Sequence, residues 1–213
     1  MIVLQIERVF YPLKTLGYGQ RIGIWTIGCP HACFNCSNPE LWDENRRKDL
    51  PLSYVYQMLQ AIQEPVDGVT ISGGEPFQQV EELCELVQYI REHISEDILI
   101  YSGYTLAQLK SWESPFVEDI LNSIAVLVDG KYIEKLNDNG PLKGSSNQVI
   151  HILNERYQSR YEPLLTDHRK VQTVAVQDGV IAFGIPLKDT RKTFDEKLPD
   201  YGIHMTEQHG RLT

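Results

Sequence analysis

Three of the chain's four cysteines, Cys29, Cys33 and Cys36, stand within eight residues in GCPHACFNCSNPELW. The spacing C-x3-C-x2-C, in a stretch marked as a loop by Gly28, Pro30 and Pro39, is that of soft-metal ligands. Structural zinc takes four ligands, usually two knuckles some distance apart, and no second pair follows. His31 lies too close in sequence to complete a comfortable tetrahedral site. A cubane [4Fe–4S] cluster normally takes four thiolates. Held by three, it keeps one iron open to a small chelating ligand, such as the amine and carboxylate of an amino acid. Zinc and cluster both remain open on these residues alone. Cys84 differs: it stands on the apolar face of a helical pattern and reads as a small core residue.

The cysteine loop follows RIGIWTIG (21–28), an apolar strand pattern. Further short apolar strands are predicted at GVTISGG (68–74), DILIYSG (97–103), IAVLVDG (124–130) and QVIHIL (148–153). Helical periodicity intervenes: Val55, Met58, Leu59 and Ile62 share one face over 52–62, and Val80, Leu83, Cys84, Val87 and Ile90 share one over 80–93. TLAQLKSW begins another helix. Strands alternating with helices predict parallel βαβ units, and all-apolar strands predict a sheet covered on both faces. In such folds chemistry gathers at the carboxyl ends of the strands. There the sequence places the cysteine loop, SGGEP (72–76), YSGY (101–104) and VDGK (128–131), so four motifs are expected on one rim. From about residue 155 the pattern changes. VQTVAVQ, Asp178-Gly179 and VIAFGI predict a hairpin with a primed turn, about 171–185. From Lys188 the chain is polar without periodicity, either a flexible tail or an ordered wrap. The expected division is 1–155 for the α/β domain and 156–213 for a C-terminal extension.

The 213 residues are 42% hydrophobic and 23% charged, ordinary for a soluble globular protein. No apolar run reaches the ~18 residues of a membrane span, and MIVLQIERVF reads as a short alternating strand, not a signal peptide. A cytoplasmic location, where thiols stay reduced, is expected. The net charge of −9 speaks against nonspecific nucleic-acid binding. The one basic run, Arg46-Arg47-Lys48, is either a solvated turn or a docking patch for an acidic partner.

C-x3-C-x2-C followed by GGEP after the next strand resembles the radical S-adenosylmethionine superfamily. GYGQRIGIWTIGCPHACFNCSNPELWD, GVTISGGEPF, ILIYSGYTLAQL, IAVLVDGKYIEKL and PLKGSSNQVIHIL, in this order from about Gly17 to Leu153, are similar to the activating enzymes of anaerobic (class III) ribonucleotide reductase. The resemblance implies a partial (βα) barrel of the radical S-adenosylmethionine type, here with a C-terminal β-hairpin extension. It implies a [4Fe–4S] cluster on Cys29, Cys33 and Cys36, with S-adenosylmethionine on the open iron. Reduction by a low-potential donor of the flavodoxin or ferredoxin type would cleave the cofactor to a 5′-deoxyadenosyl radical. That radical would abstract hydrogen from a glycine Cα of a partner reductase.

Carried onto this chain, Ser72, Gly73, Gly74 and Glu75 would shape the methionine site, with a solvent-facing turn carboxylate as the alternative for Glu75. Ser102 and Tyr104 would contact ribose or adenine, core packing being the alternative for Tyr104. Asp129 and Lys131 would face ribose or sulfonium, a plain Asp-Gly turn being the alternative. Ser145, Ser146 and Asn147 would bond cofactor or partner, or merely cap the following segment. His31 is expected to serve loop geometry or a contact behind the ligating residues, His151 to be a packed strand histidine, and His204 and His209 have little support as ligands. No catalytic acid or base is assigned. Many members of the superfamily carry an aromatic residue just before the third cysteine; here Asn35 holds that cofactor-side position and Phe34 stands one place earlier. The chain also continues about sixty residues past GSSNQ, near which the short activating enzymes end. The alternatives are a radical enzyme acting directly on a small molecule or peptide, its pocket closed by the hairpin and tail, and a binding module with a structural metal.

Overall fold

A computed structural model describes residues 2–176 and 179–197. The chain runs β1 (Val3–Leu13), β2 (Arg21–Thr26), β3 (Asp49–Pro51), α1 (Leu52–Gln60), β4 (Gly68–Gly73), α2 (Val80–His93), β5 (Ile98–Tyr101), α3 (Leu106–Ser111) and α4 (Pro115–Ser123). It continues with β6 (Val126–Asp129), β7 (Val149–Ile152), α5 (Gln158–Tyr161), the hairpin β8 (Val171–Val176) and β9 (Gly179–Gly184), and α6 (Thr190–Lys197).

Seven strands form one open sheet in the order β3-β1-β2-β4-β5-β6-β7. The expected βαβ units make its centre: β2, β4, β5 and β6 are parallel neighbours. The flanks are antiparallel, β1 against β2 and β3 on one side and β7 against β6 on the other. The outermost strands, β3 and β7, do not pair, so the sheet is not a closed barrel. The parallel reading of 148–153 is therefore corrected. The connection from β6 is a loop with a single 3-10 turn, and without a crossover helix β7 returns antiparallel.

The central strands are apolar throughout because both faces are covered. Ile22, Ile24, Val69, Ile71, Ile98, Ile100 and Leu127 meet α1, α2, α3 and α4 in one apolar cluster. On the opposite face Leu99, Val126 and Val128 pack with Tyr157 and Tyr161, while Trp25 packs with Leu13, Leu41 and Phe183. α2 buries Leu83, Cys84, Leu86, Val87 and Ile90, with Glu81 and Glu82 in its first turn and Arg91 in its last, each sign opposite to the nearby helix-end charge. α1 ends at Gln60, so Ile62 lies beyond the helix predicted to carry it. The hairpin forms near the expected limits, while Asp178 of its turn lies outside the described residues. Part of the stretch read as aperiodic is the helix α6. His204 and His209 lie outside the described residues. Among the described residues no helix is long and apolar enough to cross a membrane.

Candidate functional site

The four strand-end motifs stand at the carboxyl ends of the parallel strands, and Glu75 is where three of them are tied. Its side chain is 0% exposed. Oε1 accepts the Phe77 N–H at 3.1 Å and the Ser102 hydroxyl at 3.0 Å. Oε2 accepts the Gly103 N–H at 2.6 Å and lies 3.1 Å from His31 Nε2. One carboxylate thus joins the cysteine loop, the SGGEP turn and the YSGY turn. The solvent-facing alternative for Glu75 is overturned. A buried carboxylate needs such donors to offset its lost hydration.

Backbone pairing tightens the same junction. Gly28 N–H and Cys29 N–H donate to the carbonyls of Leu41 and Trp42, both at 2.9 Å, closing the cysteine loop on itself. Gly74 N–H donates to Thr26 at 2.8 Å and Glu75 N–H to Gly28 at 2.7 Å. This approach explains the paired glycines: a Cβ on Gly74 would lie 2.3 Å from the Gly28 carbonyl oxygen, and one on Gly73 2.3 Å from the Thr26 nitrogen. Gly103 serves likewise, since its Cβ would stand 2.2 Å from the His31 ring.

On the other side, VDGK and GSSNQ form a second knot. Asp129, buried at the end of β6, accepts N–H groups from Leu106 and Val149 and pairs with His151 Nε2 at 2.9 Å. Ser145 Oγ, fully buried, accepts the Ile133 N–H at 3.1 Å, and Asn147 donates to the Lys131 carbonyl at 2.8 Å. Gln148, not singled out among the site residues, is the centre of this knot. Its Oε1 takes the Gly144 and Ser145 N–H groups at 2.7 and 3.1 Å, and its Nε2 reaches the Gly130 carbonyl at 2.7 Å. Its place at the end of GSSNQ was the available signal. Asn35, at φ 56°, links the cysteine loop to this side by donating to Glu134 Oε1 at 2.6 Å. Tyr104 stacks edge-on with His31 at 4.5 Å and with Trp112 at 4.8 Å, so packing accounts for its ring.

What the knots leave unspent is chemically telling. Cys29, Cys33 and Cys36 are free, partly exposed thiols. Burial pushes the Cys29 thiol up to about 11, with the His31 backbone amide opposing and the Glu75 charge adding to the rise. Burial and the nearby Cys36 raise Cys33, while the Tyr132 backbone amide and the Lys131 ammonium favour its thiolate. Cys36 Sγ accepts only the Asn38 N–H, at 3.4 Å. The Lys131 side chain is exposed and the Ser72 hydroxyl half-buried, and neither has a hydrogen-bonding partner of its own among the described residues. No fourth thiol is at hand, because Cys84 is 7% exposed on the core-facing side of α2. Among the described residues no three His, Cys, Asp or Glu side chains form a group that could hold a single metal ion. Three soft, unpaired thiols on one loop fit an iron–sulfur cluster better than a closed zinc site.

Residues 15–151 match the family model described as a 4Fe-4S single cluster domain. The chain is 34% identical over 152 residues to the anaerobic ribonucleoside-triphosphate reductase-activating protein of Escherichia coli strain K12, covering 68% of this chain and 96% of that protein. It is 33% identical over 150 residues to the protein of that name from Haemophilus influenzae, covering 67% and 94%. With the one from Enterobacteria phage T4 it shares 29% identity over 138 residues. About a third of this chain falls outside these matches.

Proposed function

Because the chain belongs to the 4Fe–4S single cluster domain family, and within it to the group of anaerobic ribonucleoside-triphosphate reductase-activating proteins, we propose that it is a radical S-adenosylmethionine activating enzyme. Its substrate is a glycine Cα of a partner anaerobic ribonucleotide reductase, and its place is the cytoplasm. The observation that carries the reading is the loop of three unpaired thiols, locked to the SGGEP turn through His31 and Glu75.

Cys29, Cys33 and Cys36 would hold the cluster as thiolates; burial raises the Cys33 thiol, and the nearby Lys131 ammonium works against that rise. The chemistry supplied by a cluster and S-adenosylmethionine bound here, given one electron from a low-potential donor, is cleavage of the S–C5′ bond to methionine and a 5′-deoxyadenosyl radical that takes the glycine hydrogen. Ser72 and Lys131 offer an unengaged hydroxyl and cation to the polar end of the cofactor. Gly73, Gly74, Glu75, Ser102, Asp129, Ser145 and Asn147 act one step removed: their hydrogen bonds and close backbone approaches fix the loops that enclose it. Tyr104 and Asn35 hold the two sides of the cysteine loop. The protein's share of catalysis is thus to bind, orient and exclude water. The open sheet, with its parallel centre and strand-end loops, is consistent with the partial barrel of this superfamily, with residues 1–155 as that domain and 156–213 as an extension.

The test is to reduce the reconstituted protein without oxygen, with S-adenosylmethionine and a purified anaerobic ribonucleotide reductase, and to record the paramagnetic resonance spectrum. The expected result is a glycyl-radical doublet that depends on all three components. Cofactor cleavage without a doublet on any reductase supports instead a small-molecule or peptide substrate.

A further inference from the structure

Strands β8 and β9 lie beyond the matched family segment, yet Phe183, Val174 and Ile181 of this hairpin join the apolar cluster that holds Leu41 of the cysteine loop. Val174, Ile181 and Phe183 of the hairpin face the sheet. Phe183 is 4% exposed; its ring stacks 4.0 Å from Phe10 at 15° and lies 5.2 Å from Trp25. The same apolar cluster contains Ile27, two residues before Cys29, and Leu41, whose carbonyl accepts the Gly28 N–H. Leu41 is the only buried residue from Cys29 to Lys48. The loop therefore has one buried apolar foot, and the cluster that takes it up includes Phe183 from the far end of the chain.

The hairpin is secured at both sides. Gln172 Oε1 accepts the Lys14 N–H at 3.0 Å and its Nε2 donates to the Pro12 carbonyl at 2.9 Å. Arg169 donates to the carbonyls of Gly140, Lys143, Gly144 and Pro186 at 2.7–2.9 Å. The Gln172 bonds run to the end of β1, and three of the Arg169 bonds run to the loop that leads into GSSNQ, so the hairpin and nearby Arg169 link two separate parts of the chain. Close packing transmits a lost side chain to its neighbours instead of absorbing it.

We propose that Phe183 is a positioning residue for the cysteine loop, and that the C-terminal hairpin is a working part of the three-thiol site. The inference rests on the cluster reading above for its second readout only. The first readout is amide hydrogen exchange on the metal-free full chain. Phe183→Ala raises exchange over residues 27–42 about tenfold or more while α2 stays within about twofold. Phe183→Tyr restores protection, and Val180→Ala, at a position 68% exposed on the same hairpin, changes neither region. Gln172→Ala, which loosens the hairpin and leaves the Phe183 side chain intact, gives the same pattern in smaller measure and decides the matter if Phe183→Ala does not fold. In the second readout, after reconstitution, Phe183→Ala gives up iron to a chelator about tenfold faster than the unaltered chain. Unchanged exchange over 27–42 in these variants overturns the proposal, as does a uniform rise that includes α2. If the unaltered chain never retains iron and sulfide, the functional reading fails, and the exchange result still decides this one.

Discussion

Two buried carboxylates sit at opposite ends of the same parallel strands, and they are spent differently. At the amino end, Asp97 (1% exposed) lies 3.1 Å from the guanidinium of Arg21, which is 0% exposed. Tyr161 donates to the same Asp97 at 2.6 Å and Arg160 at 3.3 Å. Arg21 also donates to Thr70 Oγ1 at 2.7 Å and to the carbonyls of Val69, Asp97 and Tyr18 at 2.7, 2.8 and 3.2 Å. Gly68 leaves room for that guanidinium, since a Cβ there would stand 2.3 Å from it. Nothing reactive is left over beside this pair. At the carboxyl end, Glu75 is as buried but meets amides, a hydroxyl and an imidazole, and the loops it joins carry unspent thiols. Burial of charge alone therefore does not mark a functional site. What marks it is a saturated buried group holding unsaturated donors in place.

Breaking the amino-end pair should have the larger effect on stability. Asp97→Ala strands a buried guanidinium, and denaturant unfolding should show a loss of about 3–5 kcal/mol. The cysteine thiols of the folded fraction should react with an alkylating probe at the unaltered rate. A changed thiol rate would mean that the two ends are coupled. Disturbing the carboxyl-end knot should cost less and act locally. Gly103→Ala drives a Cβ into His31, breaking its contact with Glu75, for a loss of about 1–3 kcal/mol. Alkylation of the cysteine loop should accelerate in this variant. A stability loss as large as that of Asp97→Ala, with thiol reactivity unmoved, would mean that Glu75 serves the fold and not the loop.

Much of this division was legible along the chain. The C-x3-C-x2-C spacing, the strand-end glycines and the apolar face of α2 are local patterns, and local patterns survive into structure when propensity and packing agree. The partners were not legible. SGGEP says turn, yet the burial of Glu75 comes from His31, Ser102 and Gly103, donors brought from other strand ends. Arg21 and Asp97 lie 76 positions apart, and no local pattern pairs them. β7 read as one more parallel strand because its direction depends on the connection and not on its own residues. Phe183 belonged to a predicted hairpin, and nothing local placed it under a loop that begins more than a hundred residues earlier.

The most direct measurement is the iron and acid-labile sulfide content of anaerobically reconstituted protein, taken with the paramagnetic resonance of its reduced form, for the unaltered chain and for Cys33→Ala. Three thiolates at one cluster predict about four irons and four sulfides per chain with a reduced-cluster signal, lost or labile when Cys33 is removed. About one zinc with no sulfide, or a Cys33→Ala variant that keeps its cluster and full reductive cleavage of S-adenosylmethionine, would contradict the account.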